Sequence, residues 1–245
     1  MKLRVQVQRT ARARRLSWVR AVTCHGRLGP RRAIPERALL AAMIPRVVAR
    51  QLSRPTGVLG ALFRRVMNRS NAKINAFAVA QLELASTDRV LEIGFGGGVT
   101  LPQLLEHAAF VAGVDPSPDV VARAHAHFAK AVASGQADFR EGVVESLPFD
   151  NASFDKVCSV NTIYFWPSLD RGFGELHRVL APRGRLAVGF TPKSRMDAFG
   201  FPSDIFTPRA PKDVVASVTA AGFSGARIAQ PTPGTLWNVV VAWKD

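Results

Sequence analysis

Short apolar segments alternate with amphipathic ones along the chain from Asp88 onward. Short apolar segments bounded by turn residues predict strands, and apolar residues that recur at helical spacing predict helices. The predicted strands are Arg89–Ile93, Phe110–Val114, Ala137–Arg140, Lys156–Val160 and Arg185–Phe190. The predicted helices are Ala72–Leu84, Thr100–His107, Pro118–Ala133, Leu169–Leu180 and Lys212–Ala221.

The order of these elements indicates an α/β fold. Alternating strands and helices predict a Rossmann-like, mostly parallel sheet with helices on both faces. The last segment, GFSGARIAQPTPGTLWNVVVAWKD, predicts two further strands around a Pro/Gly turn. We therefore expect a seven-stranded sheet with an antiparallel C-terminal edge strand.

The chain before this domain follows a different pattern. Residues 1–42 are rich in arginine and show no sustained apolar period, so we expect a basic, disordered extension. A transit segment, a tail for anionic surfaces and an over-extended gene start with Met43 as the initiator are alternatives. Residues 43–71 are amphipathic, which predicts a helical lid segment over a substrate pocket; packing against the domain without a lid role and a helix on a membrane surface are the alternatives. The domain itself is predicted over 72–245.

Composition narrows the classes of function. Hydrophobic residues make up 47% of the chain, enough for one well-filled core, and no apolar segment is long enough to span a bilayer. The net charge of +15 arises in residues 1–73, which hold 18 of the 33 basic residues and one of the acidic ones. We therefore expect nucleic-acid binding only through the tail, with peripheral membrane contact left open. Cys24 and Cys158 form no disulfide framework or metal-ligand spacing, which indicates a reducing, cytoplasmic compartment.

The most informative stretch is RVLEIGFGGGVT, in which an apolar strand runs into the glycine turn Gly94–Gly98 before a helix. Glycine lacks a Cβ, so the backbone turns tightly there and approaches a ligand closely. The strict dinucleotide fingerprint requires a glycine at the sixth position from Gly94, where this chain has Val99. The pattern Glu-x-Gly-x-Gly-x-Gly is met instead, beginning at Glu92.

Acidic residues stand at the ends of two successive predicted strands. Glu92 lies near the end of the first strand, and Asp115 follows the second. A carboxylate before the glycine turn suits a cationic amino-acid moiety, such as the methionyl ammonium of S-adenosylmethionine, better than a pyrophosphate. A carboxylate at Asp115 could accept hydrogen bonds from both hydroxyls of a ribose.

Four blocks in order, RVLEIGFGGG, VAGVDPSPDVV, EGVVESLPFDNASFDKVCSVNTIYFW and ELHRVLAPRGRLAVGF, resemble the class I S-adenosylmethionine-dependent methyltransferases. The most similar branch is the type 11, ubiquinone/menaquinone-biosynthesis-like one, over about residues 72–243. The resemblance implies S-adenosylmethionine as the cofactor and a small-molecule methyl acceptor. The cofactor-binding residues that it implies are Glu92, Gly94, Phe95, Gly96, Gly98, Asp115, Pro116, Ser117, Val143, Val144, Asn161 and Thr162.

The resemblance also assigns roles along the cofactor. Glu92 and the glycine turn correspond to the methionine site and Asp115 to the ribose site, with Pro116 and Ser117 beside the adenine. Val143 and Val144 lie in the loop that contacts adenine. Many relatives have an aspartate where this chain has Val143, so a backbone contact from Val144, or the neighbouring Glu145, would have to replace it.

Methyl transfer from a sulfonium neutralises charge, so orientation and a dry pocket are the protein's main contributions. Tyr164, Phe165 and Trp166 follow the fourth predicted strand. We expect them to wall the acceptor site, with Tyr164 as the candidate catalytic residue that positions the acceptor; packing beneath a loop is the alternative. We expect His177 to be structural and Asp155 to order a turn.

The leading hypothesis is methyl transfer to a small, apolar metabolite such as a quinone or lipid. An NAD(P)-dependent oxidoreductase and a degenerate cofactor-binding protein with an RNA- or membrane-binding tail are the alternatives. We expect no metal, and we expect Glu175 and Arg178 to form a solvated helix face. The sequence leaves the acceptor and the oligomeric state open.

Overall fold

The computed structural model describes residues 71–245. The predicted extension 1–42 and, apart from its last residue, the predicted lid segment 43–71 lie outside the described residues. Within residues 71–245, no helix is both long enough and apolar enough to cross a membrane.

One sheet of seven strands organises the described part of the chain, in the spatial order β3-β2-β1-β4-β5-β7-β6. The strands are β1 (Arg89–Ile93), β2 (Phe110–Asp115), β3 (Ala137–Glu141), β4 (Phe154–Val160), β5 (Leu180–Phe190), β6 (Ser224–Ala229) and β7 (Asn238–Trp243). The first five pair in parallel, whereas β7 runs antiparallel to both β5 and β6. The predicted fold class is confirmed.

Helices flank this sheet. They are α1 (71–82), α2 (Leu101–His107), α3 (Pro118–His127), α4 (Ala129–Ala133), α5 (Leu169–Val179), α6 (Lys193–Ala198) and α7 (Pro211–Ala220), with a short 3-10 helix over Ile163–Phe165. From β1 the chain adds β2 and β3 on one side of the sheet, and then crosses to add β4 and β5 on the other side of β1. The carboxyl ends of β1 and β4 therefore lie side by side. Ligands of open α/β sheets bind at such a switch point.

The alternation of side chains along the strands divides the core into two halves. Leu91 of β1 packs in one cluster with Phe173 of α5 and Val214 of α7. The preceding residue, Val90, packs in the other cluster with Leu101 of α2. Successive side chains of a strand point to opposite faces, so a sheet covered on both faces needs apolar residues at every position.

Two of the differences from the predicted boundaries have a clear structural cause. The predicted helix Pro118–Ala133 is interrupted at Phe128, whose backbone leaves the helical region at φ −106° and ψ 28°. Its ring packs 5.8 Å, centroid to centroid, from Phe139 of β3. The other difference is β5, which begins at Leu180 where a helix end was predicted, because Leu180 pairs with Phe154 across a register shift.

Candidate active site

The glycine turn forms the tip of β1. Gly94, Gly96 and Gly98 adopt φ values of +68°, +48° and +66°, in the left-handed region that favours glycine. The Gly94 N–H donates to the carbonyl of Val114 at 2.7 Å, which joins the turn to the end of β2. A Cβ on Gly96 would meet only the Gly94 carbonyl at 4.0 Å, so this side of the turn faces open space.

Phe95 lies in the same turn, but its ring faces away from that space. The side chain is buried, and its ring lies 5.5 Å from that of Phe139. A Cβ on Gly113 would come within 2.7 Å of the Phe95 ring, so the two residues pack closely beneath the turn. Phe95 therefore offers a ligand only its backbone.

Glu92 carries a buried carboxylate directly below the glycine turn. One oxygen, Oε1, accepts a short hydrogen bond from the Thr100 hydroxyl, while Oε2 is buried and has no hydrogen-bond partner within residues 71–245. Burial raises the pKa of Glu92 from 4.5 to about 7, the Thr100 hydroxyl opposes this rise, and the charge of Asp115 adds to it. A buried, unpartnered carboxylate oxygen is costly unless a cation or donor meets it.

Asp115 ends β2 and connects the glycine turn to the start of α3. Its Oδ2 accepts from the Gly96 N–H at 2.9 Å, and its Oδ1 accepts from the Ser117 N–H at 3.0 Å. Burial raises the pKa of the carboxyl, although these two backbone donors and Arg123 oppose the rise. A carboxylate has about four lone-pair sites, so two remain for other donors such as ribose hydroxyls.

The segments beside Asp115 are the exposed Pro116, the half-buried Ser117 and the loop after β3. In that loop the Gly142 N–H donates to the Asp115 carbonyl at 3.2 Å. Val143 is 49% exposed, whereas Val144 is 4% exposed and belongs to the core. Val143 therefore presents its side chain to solvent, whereas the side chain of Val144 packs into the core.

The tip of β4 faces the glycine turn. The Ser159 hydroxyl donates to the Ile93 carbonyl at 3.0 Å and also forms a short hydrogen bond with the Thr162 hydroxyl. A Cβ on Gly94 would lie 2.4 Å from Cγ2 of Thr162, so the two backbone tips are in close contact. Asn161, between them, has a left-handed φ of 59° and donates its N–H to the Gly189 carbonyl of β5 at 2.8 Å.

The three aromatic residues after β4 separate in the structure. Tyr164 is buried, and its hydroxyl donates to Asn161 Oδ1 at 3.1 Å and accepts from the Thr191 N–H. Trp166 is also buried, with its ring 5.3 Å from that of Phe173. Phe165 remains 39% exposed, so it alone of the three presents a ring to solvent at this edge.

A loop after α6 supplies further aromatic rings that sequence reasoning missed. The Phe206 ring lies 5.1 Å from the rings of both Phe165 and Phe201. The Thr207 N–H donates to the Tyr164 carbonyl at 3.0 Å, and Arg209 Nη2 donates to the Trp166 carbonyl at 2.5 Å. The two segments lie about forty residues apart in sequence, and no spacing rule predicts that they meet.

Comparison with known proteins agrees with this geometry. Residues 91–188 match the family model described as a methyltransferase domain, named for type 11 methyltransferases. This match begins within β1 and ends within β5, so it spans both acidic strand tips and the aromatic segment. This part of the chain is a type 11, S-adenosylmethionine-dependent methyltransferase domain.

Individual relatives carry the same designation. The chain is 29% identical over 160 residues to the uncharacterized methyltransferase YdaC of Bacillus subtilis, covering 64% of this chain and 83% of that protein. It is 35% identical over 124 residues to the demethylmenaquinone methyltransferase of Thermus thermophilus, covering 49% of this chain and 55% of that protein. The chain thus spans about half the length of the second relative.

A solved structure shares the fold. A methyltransferase of Haloferax volcanii, in its complex with the Trm112 methyltransferase activator, aligns with a TM-score of 0.63 at 20% identity. The alignment covers 73% of this chain and 92% of that one.

The residues of this methyltransferase domain fit its cofactor. S-adenosylmethionine has an ammonium group, and the buried Oε2 of Glu92 has no hydrogen-bond partner in the part of the chain that the structure describes. The open space beside Gly96 leaves room for close approach to the backbone, and Asp115 retains lone pairs for a ribose. Glu92, the glycine turn and Asp115 would hold the methionyl and ribose parts.

One prediction about the methyltransferase surface is wrong. Glu175 and Arg178 do not form a solvated helix face, because they bind the loop that precedes β4. Arg178 donates to the carbonyls of Leu147 and Phe149 at 3.1 and 2.8 Å, and Glu175 accepts from the Leu147 N–H at 2.8 Å. The sequence around Glu175 and Arg178 suggested an exposed helix surface because the loop that they bind lies about thirty residues earlier and could not be foreseen.

The remaining polar residues are accounted for by structural contacts. Asp155 does not order a turn as predicted: it lies in β4 and accepts from the Arg89 N–H at the start of β1 at 2.8 Å. The His177 ring packs 5.1 Å from that of Phe223, as expected for a structural histidine. Within residues 71–245, no group of three or more potential ligands could hold a metal ion. Thr100 was missed, although it follows Glu92 by eight residues and begins the predicted helix.

Proposed function

We propose that this protein transfers the methyl group of S-adenosylmethionine to a small, apolar metabolite such as a quinone or lipid. The observation that carries the acceptor class is the aromatic wall, defined here as the exposed Phe165 and the half-buried Phe201, beyond the carboxyl end of β4. The buried ring of Phe206 lies behind both and holds them together. Aromatic rings at a ligand site favour apolar or planar partners. The similarity to a demethylmenaquinone methyltransferase supports the same class.

The cofactor-binding residues would hold the cofactor in place and orient its methyl group. When bound, S-adenosylmethionine supplies a methyl group on a sulfonium, which an in-line nucleophile accepts. Glu92 would meet the ammonium, Asp115 the ribose, and Val143 would cover the adenine with an apolar side chain. Backbone atoms of Gly94, Phe95, Gly96 and Gly98, with Pro116, Ser117, Val144, Asn161 and Thr162, would complete the pocket.

The aromatic wall would hold the acceptor and exclude water. Charge is lost as the methyl group moves, so an apolar wall does not oppose the reaction, and orientation becomes the main protein contribution. Tyr164 is too buried to wall the acceptor, and its hydroxyl already has two partners. We therefore assign acceptor contact to Phe165 and a supporting role to Tyr164.

The test is a screen of fractionated metabolite extract with methyl-labelled S-adenosylmethionine, read by mass spectrometry. We expect labelled product from the apolar fraction and about tenfold less from Phe165→Ser. Ile228→Ser is the matched control, because Ile228 is 37% exposed on β6 and lies away from the aromatic wall. Label only in the polar fraction would contradict the acceptor class, and failure to bind S-adenosylhomocysteine would contradict the methyltransferase proposal itself.

A further inference from the structure

Exposed apolar side chains are unevenly distributed over the domain. Within residues 71–245, seven large hydrophobic side chains are exposed, and five of them lie in loops at the carboxyl edge of the sheet. These five, which we call the apolar rim, are Val99, Val143, Phe165, Phe199 and Leu236. Single exposed apolar residues are common on protein surfaces, but their concentration on one face indicates an interaction site.

The apolar rim crosses the whole carboxyl edge. Val143 follows β3, Val99 follows the glycine turn after β1, and Phe165 follows β4. Phe199 lies at the end of α6, after β5, and Leu236 lies in the loop that joins β6 to β7. Neighbouring strands lie ~4.8 Å apart, so the rim extends on the order of 25 Å across the mouth of the crevice.

The opposite edge of the sheet differs. Of the exposed large hydrophobic residues that the structure describes, only Trp243 lies at the amino edge, where it pairs with Arg185. Its ring occupies the space that a Cβ on Gly225 would need, so packing accounts for it. Ile228, the remaining one, lies within β6. The apolar rim is therefore a property of the catalytic edge and not of the surface in general.

The chain enters the domain at the same edge. Helix α1 begins at residue 71, and a Cβ on Gly189, near the carboxyl end of β5, would lie 3.1 Å from Ile74 Cγ1. One turn further along α1, the Phe77 ring packs 5.4 Å from that of Trp237, the neighbour of the rim residue Leu236. Residue 70 therefore joins the domain beside the apolar rim.

The segment that arrives there is strongly basic. Residues 43–70 contain six arginines and no acidic residue, together with apolar residues at helical spacing such as Val58, Leu62 and Val66. Basic groups next to exposed apolar side chains suit an anionic lipid surface, because the headgroups attract the charges and the acyl boundary accepts the apolar groups. A second copy of the chain would bring the same positive charge and be repelled.

We propose that the carboxyl edge docks on an anionic lipid bilayer, with the apolar rim at the boundary between headgroups and acyl chains and residues 43–70 attracted to the headgroups. The inference goes beyond the proposed function, because the docking holds whatever the acceptor is. For an acceptor dissolved in the bilayer, the crevice would open towards the membrane, and the acceptor would enter without crossing water.

The test measures co-sedimentation of the full chain with vesicles of phosphatidylcholine and phosphatidylglycerol, and with vesicles of phosphatidylcholine alone. Phe199→Ser and Leu236→Ser remove rim side chains that take no part in the proposed cofactor or acceptor contacts. Each should lower the partition coefficient on the anionic vesicles about fivefold, since each side chain is about half exposed. Ile228→Ser, an exposed apolar residue away from the rim, is the matched control and should leave binding unchanged.

The orientation of the docked protein can be read from its tryptophans. Lipids brominated along the acyl chain quench only those tryptophans that lie near the bilayer. Trp237 lies next to the rim residue Leu236, whereas Trp243 lies at the opposite edge of the sheet. The quenched fraction of the emission should therefore fall in Trp237→Phe and rise in Trp243→Phe.

The inference is overturned if the two rim variants bind anionic vesicles as tightly as the unmodified chain, or if phosphatidylcholine alone binds equally well. The opposite quenching pattern would show docking by the amino edge and would overturn it too. Self-association that Phe199→Ser abolishes, without vesicle binding, would assign the rim to an interface between copies.

S-adenosylhomocysteine titrations on the same proteins keep the two proposals apart. We expect Phe199→Ser and Leu236→Ser to bind this ligand as the unmodified chain does. Full affinity without vesicle binding would reject only the docking, whereas no affinity in the unmodified chain would reject the proposed methyl transfer.

Discussion

Asp115 accepts a hydrogen bond from the backbone N–H of Gly96, at 2.9 Å, and so connects the tip of β2 to the turn at the tip of β1. The same carboxylate accepts from Ser117 at the start of α3. One side chain thus joins three backbone segments, so Asp115 has a structural role in addition to the cofactor contact that we propose for it.

Asp115→Ala should therefore lower both stability and affinity. Losing an acceptor for two part-buried N–H groups should cost about 1–3 kcal/mol of unfolding free energy, measured by urea denaturation. S-adenosylhomocysteine affinity should fall more than tenfold in the same variant. If the affinity falls while the unfolding free energy is unchanged, the structural part of this explanation is wrong.

Gly94 and Gly96 should differ in their tolerance of alanine, although both have positive φ values. A Cβ on Gly94 would clash with Thr162 Cγ2 at 2.4 Å, whereas a Cβ on Gly96 would enter open space. Gly96→Ala should cost about 1 kcal/mol from backbone strain, and Gly94→Ala should cost 1–3 kcal/mol more, read from thermal unfolding.

Thr162→Ser supplies the control for this comparison. Serine lacks the Cγ2 atom, so the double variant Gly94→Ala/Thr162→Ser should recover part of the stability lost in Gly94→Ala. If the stability loss of the double variant instead equals the sum of the losses in the two single variants, the Thr162 methyl group is not the source of the clash.

Glu92 should make the stability of the cofactor-free protein depend on pH. Its folded-state pKa, about 7, exceeds the ordinary 4.5, so between these values the folded protein binds more protons than the unfolded chain. Stability should then fall as pH rises from about 4.5 to 7, by on the order of 3 kcal/mol from this group. Glu92→Gln, which cannot ionise, should abolish this slope in denaturant titrations, and an unchanged slope would place the cause elsewhere.

Arg178→Lys should loosen the loop before β4, even though charge is retained. The guanidinium donates to the carbonyls of Leu147 and Phe149 and to Asn151 Oδ1, a forked geometry that an ammonium does not reproduce. We expect about 1–2 kcal/mol of lost stability. Hydrogen exchange of residues 147–151 should accelerate more than that of β1, and uniform acceleration would argue against a local effect.

The sequence alone determined the strand order along the chain and the chemistry at the first two strand tips. Strands that are buried on both faces can be recognised in the sequence alone, because a parallel sheet covered on both faces has apolar residues at nearly every strand position. Glu92, Gly94–Gly98 and Asp115 were predictable for a similar reason, since each lies at or directly after the end of its strand, where local backbone geometry brings it to the carboxyl edge.

Only the tertiary structure decided what surrounds these tips. Tyr164 looked like an acceptor contact, but its partner Thr191 comes from the next strand end, and that contact turns the hydroxyl inward. Phe206 and Phe165 meet because two loops fold over the same edge of the sheet, and Arg178 reaches a loop about thirty residues earlier. Such contacts depend on chain segments far apart in sequence, and local pattern carries no information about distances between them.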